Sequence, residues 1–154
     1  METIVGTIIL KDGKILMVKE AKEKCYGKWA FPAGHIEPNE AIYDGAKRET
    51  YEETGCTVEL KKAFPVFLKN TNDSKIVMMH FLSDLVNEEN SYDKDEILET
   101  KWISIDEIKN RILMMENPKI REFYVKKGIE RYKFIAAEQR QALDDVTEFI
   151  ISQL

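Results

Sequence analysis

The chain has 154 residues, 44% of them hydrophobic, enough for one compact core and too few for two ordinary domains. Its 28 acidic residues outnumber 23 basic ones for a net charge of −5, which argues against a broad surface tracking long DNA or RNA but leaves room for a small phosphorylated ligand. Two cysteines, Cys25 and Cys56, lie far apart without metal-ligand spacing, so the expectation is a reduced, cytoplasmic chain in which both are packing residues.

In chain order, the N-terminal run "METIVGTIIL" has no basic leader and is interrupted by Gly6 and Thr7, so it reads neither as a signal peptide nor as a membrane span. It reads as a strand, joined to "KILMVKE" by a hairpin at Asp12-Gly13. "KWAFPAGHIEP" follows as a short strand and loop, because Pro32, Gly34 and Pro38 break any helix. A helix begins after Pro38, with Asn39 as N-cap, Glu40 in the first turn and Gly55 closing it in a left-handed conformation. Strands are expected at about Thr57 to Leu68 and Lys75 to Val86 around the polar turn "KNTNDS", then a charged loop, "SYDKDEILET". A short strand around Trp102 leads to a helix capped by Ser104 with Glu107 three residues on. After Pro118 the chain turns helical to its end, where Ile135, Leu143, Val146, Phe149 and Ile150 form an apolar stripe that either closes the core or makes a homodimer face. Residues 1–154 thus read as a single domain, with a core over about 1–115 and a helical extension over about 116–154.

The central helix raises an electrostatic question. At about 100° per residue, Ala41, Ile42, Gly45 and Ala46 share a side that continues into Glu49, Glu52 and Glu53, while Tyr43, Lys47, Tyr51 and Thr54 lie opposite. Like charges at this spacing cost roughly 0.2–0.5 kcal/mol per pair even when exposed, and more when desolvated. Arg48, four residues before Glu52, cannot neutralise three carboxylates alone. A hard divalent cation can, and all-oxygen ligation favours Mg²⁺ or Mn²⁺ over zinc. The plainer reading is a charge run paired with basic residues elsewhere in the chain.

Written out, the run is Gly34, five residues, Glu40, seven residues, then Arg48-Glu49-Thr50-Tyr51-Glu52-Glu53-Thr54-Gly55. It resembles the Nudix box of the Nudix hydrolase superfamily, MutT-like members included, at every fixed position. Thr50 and Cys56 stand where a larger aliphatic residue is usual, and upstream Ala33 and Asn39 replace two frequent glycines. The resemblance covers residues from about 1 to 115 and leaves the tail outside. It implies an α/β/α sandwich around a mixed β-sheet, a loop-helix-loop site and metal-dependent hydrolysis of a nucleoside diphosphate linked to another group.

By the same resemblance, Glu52 and Glu53 are the principal magnesium ligands, Glu49 is a ligand or the proton acceptor, and the Gly34 carbonyl is a further ligand. A loop glutamate is the alternative base; of Asp95, Glu96 and Glu99, Glu96 is the first choice. Arg48 is expected to orient Glu52 and Glu40 to hold the loop-helix geometry. Trp29 or Phe31 could stack on a base, and Phe64, Phe67, Met78 and Phe81 could line a base pocket, but core packing fits each of them better. Lys24 and Lys28 could meet phosphates, although loop lysines are usually just solvated, and His35 and His80 read as structural. The function these residues favour is pyrophosphohydrolysis of a nucleoside triphosphate to the monophosphate and pyrophosphate. ADP-ribose, dinucleotide polyphosphates and RNA 5′ ends remain open as substrates, as do an idle nucleotide-binding module and an interaction protein built on the tail.

Overall fold

The computed structural model describes residues 1–23, 26–108 and 110, together with Lys119, Glu122, Lys126, Asp145, Glu148 and Ser152. The first strands are β1 (Glu2–Lys11), β2 (Lys14–Glu20), β3 (Trp29–Ala30) and β4 (Ala33–His35). Helix α1 (Ile42–Thr54) follows, then β5 (Cys56–Ala63), β6 (Phe67–Asn70), β7 (Lys75–Glu88) and β8 (Ile97–Ser104). Residues 105–108 are helical.

β1 is the axis of an eight-stranded mixed sheet. One edge pairs in parallel with β7, Glu2 opposite Ile76 through Ile9 opposite Ser83. The other edge is shared: Ile4 to Gly6 pair with β4, and Leu10 and Lys11 pair with β2 across the hairpin. The sheet forks between them, where the Pro32 carbonyl accepts the Thr7 N–H (3.1 Å). A Cβ on Gly6 would lie 2.5 Å from that carbonyl oxygen, so only glycine lets β4 approach. The fork leaves β4 beside β1 and directly under α1, which places Gly34 against the helix.

Alternation along β1 supplies both faces of the core. Val5 packs with Ala46 of α1 and Phe81, whereas Ile8 packs with Met17, Phe31 and Ile108 of the 105–108 helix on the far side. With a helix on each face, the architecture is the expected α/β/α sandwich around a mixed sheet. The described positions of the tail, Lys119 to Ser152, are all helical; the apolar stripe at Ile135, Leu143, Val146, Phe149 and Ile150, with Lys24 and Cys25, lies outside the described residues. Among the described residues no helix is long and apolar enough to cross a membrane.

The hairpin forms as expected: Asp12 and Gly13 both take positive φ (51° and 72°), the type I′ pattern that matches strand twist. Ser104 also caps as expected, its Oγ accepting the Glu107 N–H (3.1 Å). Four boundaries differ. Ala41, not Asn39, is the N-cap of α1, and it makes no side-chain bond. Asn39 instead adopts φ 66° in the preceding turn, a left-handed conformation that asparagine tolerates better than other non-glycine residues. Glu40 therefore precedes the helix, and the acidic residue of the first turn is Asp44. The strand expected from Thr57 to Leu68 divides at Pro65, which has no N–H for the ladder, into β5 and β6. The end of the charged loop is strand from Ile97 onward, because β8 pairs with the whole of β2, a partner remote in sequence.

His80 lies in the core on β7, with its ring edge-to-face on Phe31 and Nε2 without a partner. Burial lowers its pKa to about 4 from 6.5, so the folded chain keeps it neutral while the unfolded chain protonates it. The stability this neutral ring contributes is present above pH 6.5 and is lost as pH falls toward 4, by about 3 kcal/mol at pH 4.5. Denaturant titrations of wild type and His80→Phe at pH 7 and 4.5 should show a smaller acid loss in the variant. Equal losses would mean that His80 does not carry this acid sensitivity.

Candidate active site

Two rows of α1 face inward: Gly45, Glu49 and Glu53, and beside them Ala46, Thr50 and Thr54. The helical phase is thus rotated from the expected one. Ala41, Ile42 and Glu52 are exposed, and Thr54 is buried. Glu53 has 0% exposure, whereas the Glu52 side chain is 45% exposed at the rim. Gly55 ends the helix at φ 71° as expected, its N–H donating to the Tyr51 carbonyl (2.8 Å).

Arg48 is the hub of the half-buried rim. Its Nε and one terminal nitrogen donate to the two oxygens of Glu40 (2.7 and 2.9 Å), a bidentate fork. The other terminal nitrogen donates to Glu49 Oε1 (2.7 Å) and, more distantly, to Glu52 Oε2 (3.2 Å), and the His35 carbonyl accepts a further bond (3.1 Å). Arg48 therefore reaches Glu52, as the sequence led us to expect, and holds Glu49 at the shorter distance. Glu40 holds the loop-helix geometry as expected: it also accepts the Glu37 N–H (3.1 Å), and Arg48 keeps its pKa down to about 2. Gly45 leaves room for it, since a Cβ there would come 2.8 Å from Glu40 Oε1.

Beneath the rim lies a desolvated carboxylate cluster. Glu53 Oε1 accepts the Ala33 N–H (3.0 Å), while Oε2 is buried without a partner. Burial foremost, then the Glu20 charge, pushes the Glu53 pKa up to about 9. Glu49 is also raised by burial, against the pull of Arg48. Its carboxyl lies so close over Gly34 that a Cβ at residue 34 would collide with it. Glu20, at the end of β2, has a buried, unpartnered Oε2 and a raised pKa, burial again first. Lys22 reaches Glu96 (3.8 Å), and against its partial desolvation the Glu96 charge foremost, then that of Glu20, raises its pKa.

The loop that carries Glu96 is tied to the end of α1. The Glu89 N–H donates to the Gly55 carbonyl (2.9 Å), the Asp93 N–H to the Glu52 carbonyl (3.0 Å), and the Ala21 N–H to the Glu96 carbonyl (2.9 Å). Glu96 is thus brought beside the cluster, whereas Asp95 and Glu99 are exposed away from the core. Among the described residues no three carboxylate, imidazole or thiol groups close around a point. The donor set still fits a hard cation: it is all carboxylate, and Glu53 offers a desolvated oxygen with no donor.

A family model described as the NUDIX domain matches residues 2–125. The chain belongs to the Nudix family. Among its relatives, the 8-oxo-dGDP phosphatase NUDT18 of Danio rerio is 47% identical over 53 residues, 34% of this chain and 16% of that protein. A MutT-like protein of Streptomyces ambofaciens is 27% identical over 71% of this chain and 68% of its own. Among solved structures, a NUDIX hydrolase from Nitrosomonas europaea superposes with a TM-score of 0.66 at 28% identity, covering 79% of this chain and 84% of that one.

Two departures from the usual Nudix pattern have local explanations. Thr50 spends its hydroxyl proton on the Ala46 carbonyl (2.7 Å), so Thr7 of β1 donates to Thr50 Oγ1 (2.6 Å), and a polar pair replaces an aliphatic contact. Cys56 is fully buried among Ile9, Leu16 and Val58, the packing role expected of it. Phe31, Phe64, Met78 and Phe81 belong to the core, which leaves only half-buried Trp29, under the Lys19 ammonium, as an accessible ring among the described candidates. His35 is exposed beside Glu2 (3.3 Å), and Lys28 is half-buried. Glu20 and Lys22 were not anticipated. In sequence they are two charges in "KEAKEK", with nothing to separate them from a solvated face.

Proposed function

We propose that this Nudix chain is a Mg²⁺-dependent pyrophosphohydrolase of small nucleotides, cleaving a nucleoside triphosphate to the monophosphate and pyrophosphate. The observation that carries this reading is the desolvated, donorless Glu53 oxygen beside Glu49 and the Gly34 strand. Such a group is costly to ionise unless a cation neutralises it. Glu49, Glu52, Glu53 and the Gly34 carbonyl would hold the ion; Mn²⁺ has the same ligand preference. When bound, the ion supplies charge neutralisation at the phosphate oxygens and acidifies water.

The chain's own residues then have defined tasks. Arg48, locked by Glu40, holds Glu49 in one orientation. Glu96, with its side chain 38% exposed and therefore reachable by water, takes the proton as the water oxygen bonds to phosphorus and the bridging P–O bond breaks. Lys22 beside it is placed to offset the charge of the incoming polyphosphate. A second reading, hydrolysis of a nucleoside diphosphate with an oxidised base, is supported by the 47% identity over 53 residues shared with the 8-oxo-dGDP phosphatase of Danio rerio.

Release of phosphate and pyrophosphate from nucleoside triphosphates, oxidised nucleotides, ADP-ribose, dinucleotide polyphosphates and short 5′-triphosphate RNA, in Mg²⁺ with and without chelator, tests both readings. Chelator-sensitive pyrophosphate release from triphosphates is the expected result, and phosphate release from diphosphates selects the second reading. Silence from folded protein that still binds a nucleotide would leave an idle binding module.

A further inference from the structure

Three buried side-chain atoms among the described residues have no hydrogen-bond partner: Glu20 Oε2, Glu53 Oε2 and His80 Nε2. The histidine atom lies in the far core against Phe31. The other two are carboxyl oxygens on separate elements, β2 and α1, and a desolvated carboxyl oxygen without a partner is costly in either protonation state. A native chain keeps such atoms when something absent from the protein itself completes them.

Glu20 is also held with more care than a strand end needs. Its N–H donates to the Lys28 carbonyl (2.9 Å), its carbonyl accepts the Gly27 N–H (2.8 Å), and the next residue bonds the Glu96 carbonyl (2.9 Å). The register of β2 against β8 shifts between Lys19 and Glu20, with Lys19 opposite Glu99 and Glu20 opposite Ile97, so β8 carries one extra residue, Leu98, beside Glu20. Irregularities of this kind are over-represented beside active sites. Glu20, a carboxylate from outside the box, lies within electrostatic reach of Glu53, and the Lys22 and Glu96 charges act on it in turn.

We propose that Glu20 is a metal-binding residue of this site, joining Glu53 so that a divalent cation is held between strand β2 and helix α1. The inference rests on the divalent-cation reading above. It adds a ligand that the box does not contain, and it gives the two open oxygens a common partner. Lys22 supplies the interim positive charge when no ion is bound.

Calorimetric titration of the chelator-treated protein with Mn²⁺ alone, without nucleotide, tests the assignment on wild type, Glu20→Gln and Glu53→Gln. Glu20→Gln should weaken Mn²⁺ binding at least tenfold, shrink the Mn²⁺-induced rise in Tm, and leave the metal-free Tm equal to or above that of wild type. Glu20→Asp, which keeps the charge on a shorter arm, should fall between wild type and Glu20→Gln and covers the case in which the glutamine variant does not fold. Wild-type Mn²⁺ affinity in folded Glu20→Gln, with weakened binding in Glu53→Gln, would overturn the role of Glu20 and leave the metal reading intact. Wild-type affinity in folded Glu20→Asp, where the glutamine variant does not fold, would overturn it as well. A wild type that binds no divalent ion would overturn both.

Discussion

Glu53→Gln should lower turnover in Mg²⁺ by roughly 10³-fold and at the same time stabilise the metal-free protein. The two effects have one cause. The Glu53 carboxyl is fully buried and its pKa is pushed from 4.5 to about 9, so at neutral pH the folded chain holds a proton that the unfolded chain has released. Stability from this group is fully present below pH 4.5 and is lost as pH rises toward 9, about 3 kcal/mol of it by pH 7. Metal-free wild type should therefore lose Tm from pH 5 to 9, and Glu53→Gln should lose less. Metal binding must displace the proton, so Mg²⁺ should raise the wild-type Tm more at pH 8.5 than at pH 6. Turnover near the wild-type rate in the folded variant would remove Glu53 from the metal centre, and identical pH slopes would show that its carboxyl is not desolvated.

Arg48→Lys should cost about 10–100-fold in turnover, although the charge is kept. The guanidinium spans Glu40, Glu49, Glu52 and the His35 carbonyl at once, in a planar array that one ammonium cannot reproduce. A lysine would reach Glu40 or Glu49 but not both, and the freed carboxylate would turn away from its present orientation. Because Arg48 acts here by positioning Glu49, the variant should also bind Mn²⁺ more weakly in the absence of nucleotide. An unchanged Mn²⁺ affinity with a raised KM would instead mean that Arg48 meets the substrate.

Much of this arrangement was legible in the sequence because it is local. The Asp12-Gly13 hairpin, the Ser104 cap and the Gly55 helix end each depend on a few adjacent residues whose backbone preferences suffice. The boundaries that moved depended on distant partners. β8 extends back to Ile97 because β2 is there to pair with it, and β5 stops before Pro65 although the apolar run continues. Asn39 shows a subtler loss: the same residue type suits an N-cap and a left-handed turn, and only the course of the chain into α1 decides between them.

By itself the sequence determined the Nudix box, the helix that carries it and the concentration of three glutamates near its end, because helical periodicity places residues at fixed angles along one element. Tertiary structure decided what those glutamates became. The angle says which residues are neighbours on the helix, but the tilt against β1 and β4 sets which of them lose water, and it buried Glu49 and Glu53 while leaving Glu52 at the rim. It also gave Arg48 to Glu40 and Glu49, and brought Glu20, Lys22 and Glu96 from other elements to the same cluster. Desolvation and charge proximity are properties of assembled surfaces, and no spacing within a single helix encodes them.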